Sequence, residues 1–341
     1  MGFPAVTVWV QAGRGLVTAI DLGAVAPVSR AHGGDTIPFT AADLGFERCP
    51  GGGWWKRLGD RSVEFRPLRR VPELLGVEAL QREVFGVTDR DLAAASQLVV
   101  VPETGGEVIG AFVGAADAGK GADSDPALVD EVLAGYVIGW GGFVEGRPRL
   151  VSDMLGVRGD ARNLGLGAEL KKLQAVVALE RGFGEIVWTV DPLRAANARL
   201  NFEKLGAIAD RYEEDRYGAG YGAGLYGGLP TDRLHVTWDL RTRRVEDRLR
   251  GRTHATTREQ IADLQPYDAA IEQGSAVVFL PADIDRLIGS DPAGAREWRF
   301  VLRETLRHAF DRGYAITGFV AGVDETGGRA AYVIERRSPE V

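Results

Sequence analysis

Cysteine is almost absent from this chain of 341 residues, and Cys49 stands alone. An internal disulfide is therefore excluded, and so is any zinc site built from several cysteines. Long apolar runs are also missing. No segment approaches the roughly 20 residues needed to span a bilayer, so no membrane partner is expected. The first twenty residues carry Pro4, Gln11, Gly13 and Arg14 and lack a basic stretch ahead of an apolar one, which argues against a signal peptide. Excess positive charge is lacking too: the net charge is -7. A broadly basic nucleic-acid-binding surface is excluded, although a local basic pocket is not. The expectation is a cytoplasmic protein that binds neither nucleic acid nor membrane.

The remaining composition, 45% hydrophobic and 26% charged, is that of a globular protein whose length suggests two domains, with room for an extra lobe. Residues 1–60 read as an extension of short strands and loops, with Val6–Val10 the clearest strand. A central unit follows over 61–240. Ser62–Arg66 alternates as a half-buried strand, and Pro72 opens a helix that buries Leu74, Val77, Leu80, Val84 and Phe85. Leu98–Val101 and Val108–Gly114 read as strands, 115–126 as an exposed loop, and Gly135–Val144 and Val151–Val157 as further strands. A glycine loop leads to a helix over Ala168–Arg181, then a strand over Glu185–Val190. Asp191-Pro192 has the form of a helix start and Gly206 of its end, before a strand over Leu234–Leu240. Residues 241–272 look like a charged linker or peripheral segment. A C-terminal unit over 241–341 then offers the strand Ala276–Leu280, the helix Pro292–Arg312 with Trp298, Val301, Leu302, Thr305 and Ala309 inward, and the strands Tyr314–Val320 and Ala331–Glu335. The fold class is α/β (α+β): a mixed, partly parallel sheet flanked by helices.

The chemistry-bearing feature is the strand followed by Arg162-Asn163-Leu164-Gly165-Leu166-Gly167 and a helix. A helix N-terminus presents unpaired N–H groups and partial positive charge. Glycines let an anion approach the backbone, so such a loop can wrap a pyrophosphate. Arg158, Lys171 and Lys172 are near in sequence and add local positive charge. The same pattern also fits an ordinary strand-to-helix turn. It lacks the third glycine of a dinucleotide fingerprint and the Gly-Lys-Ser/Thr of a nucleotide-hydrolase loop.

The run Met154–Val157, the loop 162–167 and the amphipathic helix after it resemble motif A of the GNAT superfamily of N-acetyltransferases. Phe202-Glu203-Lys204-Leu205-Gly206-Ala207, ending the next helix, resembles its motif B; the likeness covers roughly residues 62–240. Trp188–Leu193, Asn197–Asn201, Leu229–Arg233, Glu297-Trp298-Arg299 and Arg312-Gly313-Tyr314 are similar to a bacterial branch understood to include amino-acid N-succinyltransferases.

The resemblance implies an acyl-CoA-dependent N-acyltransferase moving an acetyl or succinyl group from acetyl-CoA or succinyl-CoA to a small amine, without a metal. The donor would lie between splayed strands 151–157 and 185–190. The Leu155 N–H would polarise the thioester carbonyl, Val157 would hold the pantetheine arm, and Arg162 to Ala168 would cradle the phosphates. Asn197, Asn201 and Phe202 would approach the cofactor. Direct attack by the amine needs no nucleophilic side chain but does need a base. Asp153 is one candidate, if burial raises its proton affinity, and binding of the acceptor ammonium is its alternative role. His235 is the other base candidate, since imidazole titrates near neutrality; a structural strand histidine is the alternative. Phe202 stands where the family often has a proton-donating tyrosine, and Ala195 where it often has asparagine. The segment Tyr217–Gly228 reads as a lid over the acceptor or as a surface connection, with Tyr217 a candidate acceptor contact. A homodimer is compatible with the sequence. A catalytically silent acyl-CoA-binding module and a protein-lysine acetyltransferase are the competing functions.

Overall fold

In a computed structural model, residues 11–12, 15–16, 37–114, 131–144, 146–218, 226–253, 256–268, 273–324 and 326–337 are described. By contacts the chain divides into two units, 1–36 and 37–341. In the first, β1 (Gln11–Ala12) and β2 (Gly15–Leu16) pair antiparallel. The expected strand Val6–Val10 and the loop 115–126 lie outside the described residues.

The second unit is organised by one sheet of twelve strands. These are β3 (Glu47–Arg48), β4 (Trp54–Leu58), β5 (Arg61–Pro67), β6 (Glu107–Gly114), β7 (Glu131–Val144) and β8 (Arg147–Val157). They continue with β9 (Glu185–Val190), β10 (Ile208–Glu213), β11 (Arg233–Asp239), β12 (Ser275–Pro281), β13 (Tyr314–Val320) and β14 (Arg329–Arg336). Their spatial order is β12-β14-β13-β10-β11-β9-β8-β7-β6-β5-β4-β3. Among the described residues every neighbouring pair is antiparallel except β8–β9. Strands from residue 47 to residue 336 belong to this one sheet, which passes positions 60 and 240 without interruption.

Helices cover both faces. On one, α1 (Val71–Phe85) packs Leu74, Val77 and Leu80 against Tyr136, Ile138 and Met154. On the other, α3 (Leu166–Glu180) buries Leu166, Leu170, Leu173 and Val177 beside Val137 and Leu155. Successive strand residues point to opposite faces, so Val137 and Ile138, or Met154 and Leu155, divide between the two cores. Among the described residues no helix is long and apolar enough to cross a membrane.

Four sequence readings are corrected. Leu98–Val101 is not a strand: α2 (Ala95–Leu98) and a 3-10 turn over Val101–Thr104 replace it. Glu78 on α1 accepts the Ala95 N–H at 2.6 Å, and Pro102, which has no N–H, opens the next turn. The helix expected at Asp191-Pro192 starts later, as α4 (Ala195–Ala198), continuing as a π-helical stretch over Arg199–Lys204. The Asp191 carboxylate instead closes a tight turn on the Leu193 N–H at 2.9 Å. The presumed linker contains α5 (Arg243–Leu249), which buries Val245 and Leu249. After α6 (Ile284–Ser290), α7 (Pro292–Asp311) is rotated from its expected face. Ala295, Arg299, Leu302, Leu306 and Ala309 are its buried residues, while Val301 is 52% exposed. The rotation draws Arg299 into an ion pair with Asp191 at 2.9 Å.

Candidate active site

The site begins where the one parallel pair stops. β8 and β9 are joined only at Leu150↔Ile186 and Val151↔Val187. Beyond that point β8 runs on to Val157 and β9 to Val190 without pairing to each other. The cause is visible on the β7 side: Ile138 pairs with Met154 and Gly139 with Ser152, so Asp153 is an extra residue bulged out of β8. A bulge bends its strand and increases its twist, which carries β8 away from β9 and opens a fork. Val187, Trp188 and Thr189 are accordingly part-exposed although they lie mid-sheet.

The fork has unpaired donors on its β8 arm. The Arg158 N–H donates to Ala134 O at 2.9 Å, toward the β7 side. Alternation along a strand then turns the N–H groups of Val157 and Leu155 toward β9. Among the described residues no strand pairs with them there.

At the open end of β8 a 3-10 turn over Gly159–Leu164 leads to Gly165, whose φ of 76° is left-handed. α3 starts immediately at Leu166, two residues before the sequence suggested, and its first turn has no side-chain cap. A Cβ on Gly165 would meet nothing within 4 Å, whereas one on Gly167 would face Leu155 Cδ2 at 3.7 Å and Val157 Cγ2 at 3.9 Å. The helix N-terminus therefore opens beside the fork. Arg162 and Asn163 are exposed on this turn. Arg158 is held by Asp160 at 2.7 Å, and Lys172 by Glu169 at 2.9 Å. Next to Gly165 and Ala168 lies a cavity of about 300 Å³ lined also by Lys172, Lys204, Leu205 and Arg248 and by the carboxylates Glu169 and Glu203. Uncapped N–H groups and a left-handed glycine at the mouth of the fork fit a phosphate-bearing group.

The other face of the fork carries a row of polar side chains. Asp153 is exposed and accepts the Trp140 indole N–H at 3.1 Å. The burial expected of a carboxylate base is not found there. Thr189 on β9 pairs with His235 on β11, which in turn pairs with Arg211 on β10. His235 Nε2 lies 2.6 Å from Glu213 Oε2, and Nδ1 lies 2.5 Å from the Arg211 guanidinium. Arginine can only donate, so Nδ1 is the acceptor and Nε2 carries the proton. Burial pushes the His235 pKa below the usual imidazole value, and the Glu213 hydrogen bond opposes it. The neutral ring thus has its lone pair already occupied by Arg211.

The remaining candidates separate. Asn197 is exposed on α4, but Asn201 is buried and Phe202 is fully buried, edge-on to Tyr332 of β14 at 5.7 Å. The Phe202 ring is part of the core that joins α4 to the C-terminal strands. Tyr217 is 44% exposed, with its ring near Arg216 and Arg233; residues 219–225 of the suggested lid lie outside the described residues. Trp238 is core, its N–H donating to Leu205 O at 2.9 Å, while Trp188 borders the fork.

Sequence reasoning missed Arg211 and Glu213, because β10 was not recognised as a strand. It also missed Lys171 as an inward group. That lysine lies on the buried side of α3 with Gln174, and its Nζ donates to Ser152 Oγ at 2.9 Å and Gln174 Oε1 at 2.8 Å. A lysine and a glutamine three apart on an otherwise apolar helix face were the available signal.

No protein-family model matches the chain. No curated protein matches it. Among solved structures it is similar to a chain of the NatC complex bound to Gag peptide and CoA, with 17% identity over 52% of this chain and 98% of that one, at a TM-score of 0.37. A GNAT-family chain from Desulfovibrio desulfuricans matches at 18% identity over 52% and 99%, with a TM-score of 0.38. The ribosomal-protein-S18-alanine N-acetyltransferase of Escherichia coli matches at 13% identity over 52% and 94%, with a TM-score of 0.37.

Proposed function

We propose that the protein is an acyl-CoA-dependent N-acyltransferase that moves an acetyl or succinyl group to the amine of a small acceptor such as an amino acid. The observation that carries this reading is the fork between β8 and β9, with unpaired N–H groups along one arm and the uncapped start of α3 at its mouth. A linear cofactor ending in phosphates fits that combination: its arm would take the place of the missing strand, and its anionic end would meet the helix N-terminus.

In this reading the loop from Arg162 through Ala168 holds the phosphates, and the exposed Asn197 of α4 is a further candidate contact. The Val157 N–H holds the arm, and the Leu155 N–H donates to the thioester carbonyl, so that charge developing on oxygen meets a donor already in place. Asp153 attracts the acceptor's ammonium. An acceptor carboxylate would compete with His235 for Arg211, freeing the imidazole lone pair to take the amine's proton. Tyr217 borders the acceptor side. Residues 61–240 supply these groups, and the C-terminal strands brace them through Phe202 and Tyr332.

The test is free-thiol release from acetyl-CoA and succinyl-CoA against a panel of amino acids and small amines. Turnover with an amino acid supports the proposal. Tight CoA binding with no thiol release across the panel would replace it with a silent acyl-CoA-binding module.

A further inference from the structure

Lys171 occupies a singular place in the sheet. Val151 and Val187 are the last paired residues of β8 and β9, so Ser152 and Trp188 are the first residues of the two arms. The Lys171 Nζ meets both: it donates to Ser152 Oγ at 2.9 Å and lies 3.9 Å from the Trp188 ring centroid. Its third partner is Gln174 Oε1 at 2.8 Å. The side chain is therefore lodged at the vertex of the fork, from the α3 face, and only 3% of the residue is exposed. Ser152 accepts from the lysine, which leaves its own hydroxyl hydrogen available to donate.

The surroundings tune this amine. β7 brings only Ile138 and Gly139 to the network, β9 and β11 bring Trp188 and Trp238, and β8 brings Ser152, all uncharged. The titratable group acting on Lys171 is Glu107 of β6, itself 3.1 Å from Arg181 at the end of α3. Asp153 points to the opposite face, and Glu169 and Lys172 on α3 pair with each other. Burial drives the lysine down to about 7, with Glu107 opposing. Its affinity for a proton thus falls to within reach of a thiol's, ordinarily near ~8.5.

The geometry points to Lys171, acting through Ser152, as the proton donor to the sulfur that leaves in acyl transfer. The inference rests on the acyltransferase reading above. When the amine nitrogen bonds to the acyl carbon, the carbon–sulfur bond breaks and its electron pair stays on sulfur. The Ser152 hydroxyl hydrogen passes to that sulfur, and the Lys171 ammonium replaces it on Oγ, leaving a thiol, a hydroxyl and a neutral amine. The excess proton of the acceptor nitrogen passes to the His235 imidazole, the base of that reading, and Lys171 recovers a proton through Ser152 once the thiol has gone. No other reactant is required.

The experiment uses the full chain. The protein has five lysines, so Cε resonances of 13C-labelled lysine can be followed by NMR, with Lys171→Met assigning the buried one. A Lys171 midpoint near neutrality supports the role, and a lysine still charged above pH 10 overturns it. Ser152→Ala leaves the lysine in place but cuts the relay. It should lower kcat on the order of 10²-fold, leave the donor's KM and calorimetric CoA affinity unchanged, and abolish the loss of kcat above about pH 7. Ser152→Thr should restore much of the rate. Lys171→Arg keeps the charge but has no proton acidic enough to give up near neutral pH, so it should stay slow; recovery by arginine would mark a purely positioning cation and overturn the proposal. Unchanged kcat and pH profile in Ser152→Ala, with wild-type turnover intact, overturns the relay alone. Absence of both CoA binding and turnover in the wild type overturns the acyltransferase reading and the relay with it.

Discussion

The indole N–H of Trp140 donates to the carboxylate of Asp153 at 3.1 Å; Asp153 is the bulged residue of β8 that opens the fork, and Trp140 lies on the paired strand β7. The bulge therefore does two things. It ends the parallel pairing of β8 with β9, and it displays a fixed carboxylate on the face away from α3.

Asp153→Asn should raise the acceptor KM by about 10- to 100-fold, the range expected for losing a hydrogen bond to a charged group, and leave CoA affinity unchanged. Trp140→Phe should act in the same direction by only a few-fold. Steady-state kinetics with the best acceptor, and calorimetry with CoA, separate the two effects. A donor-side defect in Asp153→Asn would remove this carboxylate from the acceptor site.

Gly165→Val should abolish CoA binding by calorimetry. Its left-handed φ of 76° disfavours a branched side chain by roughly 1–2 kcal/mol, yet no atom lies within 4 Å of the new Cβ. The fold should therefore survive with a small drop in Tm. Unaltered CoA affinity in a folded variant would sink the assignment of this turn to the cofactor phosphates.

The buried pair Glu107 and Lys171 predicts an unusual pH dependence of stability. Burial raises Glu107 from 4.5 to about 8, opposed by Arg181, and lowers Lys171 from 10.5 to about 7. Between 4.5 and 8 the folded state holds a carboxyl proton that the unfolded chain has lost, so stability falls as pH rises. Between 7 and 10.5 the unfolded chain holds the ammonium proton that the folded state lacks, so stability rises with pH. The pair's contribution should decline to about pH 7, stay level to about 8, and then recover. Urea unfolding across this range checks it: Glu107→Gln should remove the lower limb and Lys171→Met the upper one.

Arg299→Ala should destabilise the protein by about 3–5 kcal/mol, because it strands the buried Asp191 carboxylate. Replacing both partners with apolar residues, as in Asp191→Leu with Arg299→Met, should cost less. Chemical denaturation measures both. Equal losses would mean that the charge pair is not what the site depends on.

Much of this could be read from the residues in order. The alternation in 62–66, the apolar strand at 108–114, the apolar stripe of α3 and the glycines at 165 and 167 are local patterns, and local patterns survive without knowledge of their neighbours. The start of α1 at Pro72 was legible for the same reason. Leu98–Val101 misled because a short apolar run fits a strand and a buried turn equally well; the Glu78 carboxylate that decides it is distant in sequence. The face of α7 misled because Trp298 and Val301 share helical spacing with Leu302, whereas Arg299 is drawn inward by Asp191, which lies far along the chain.

A mixed sheet with helices on it, and a glycine-rich turn that opens a helix at the end of one strand, follow from the order of residues alone. What stands around that turn follows from long-range pairing. Pairing register produced the bulge at Asp153, the bulge produced the fork, and the fork brought Ser152 and Trp188 around Lys171. Those outcomes depend on which strands become neighbours and where their pairing stops, and no stretch of residues encodes that alone.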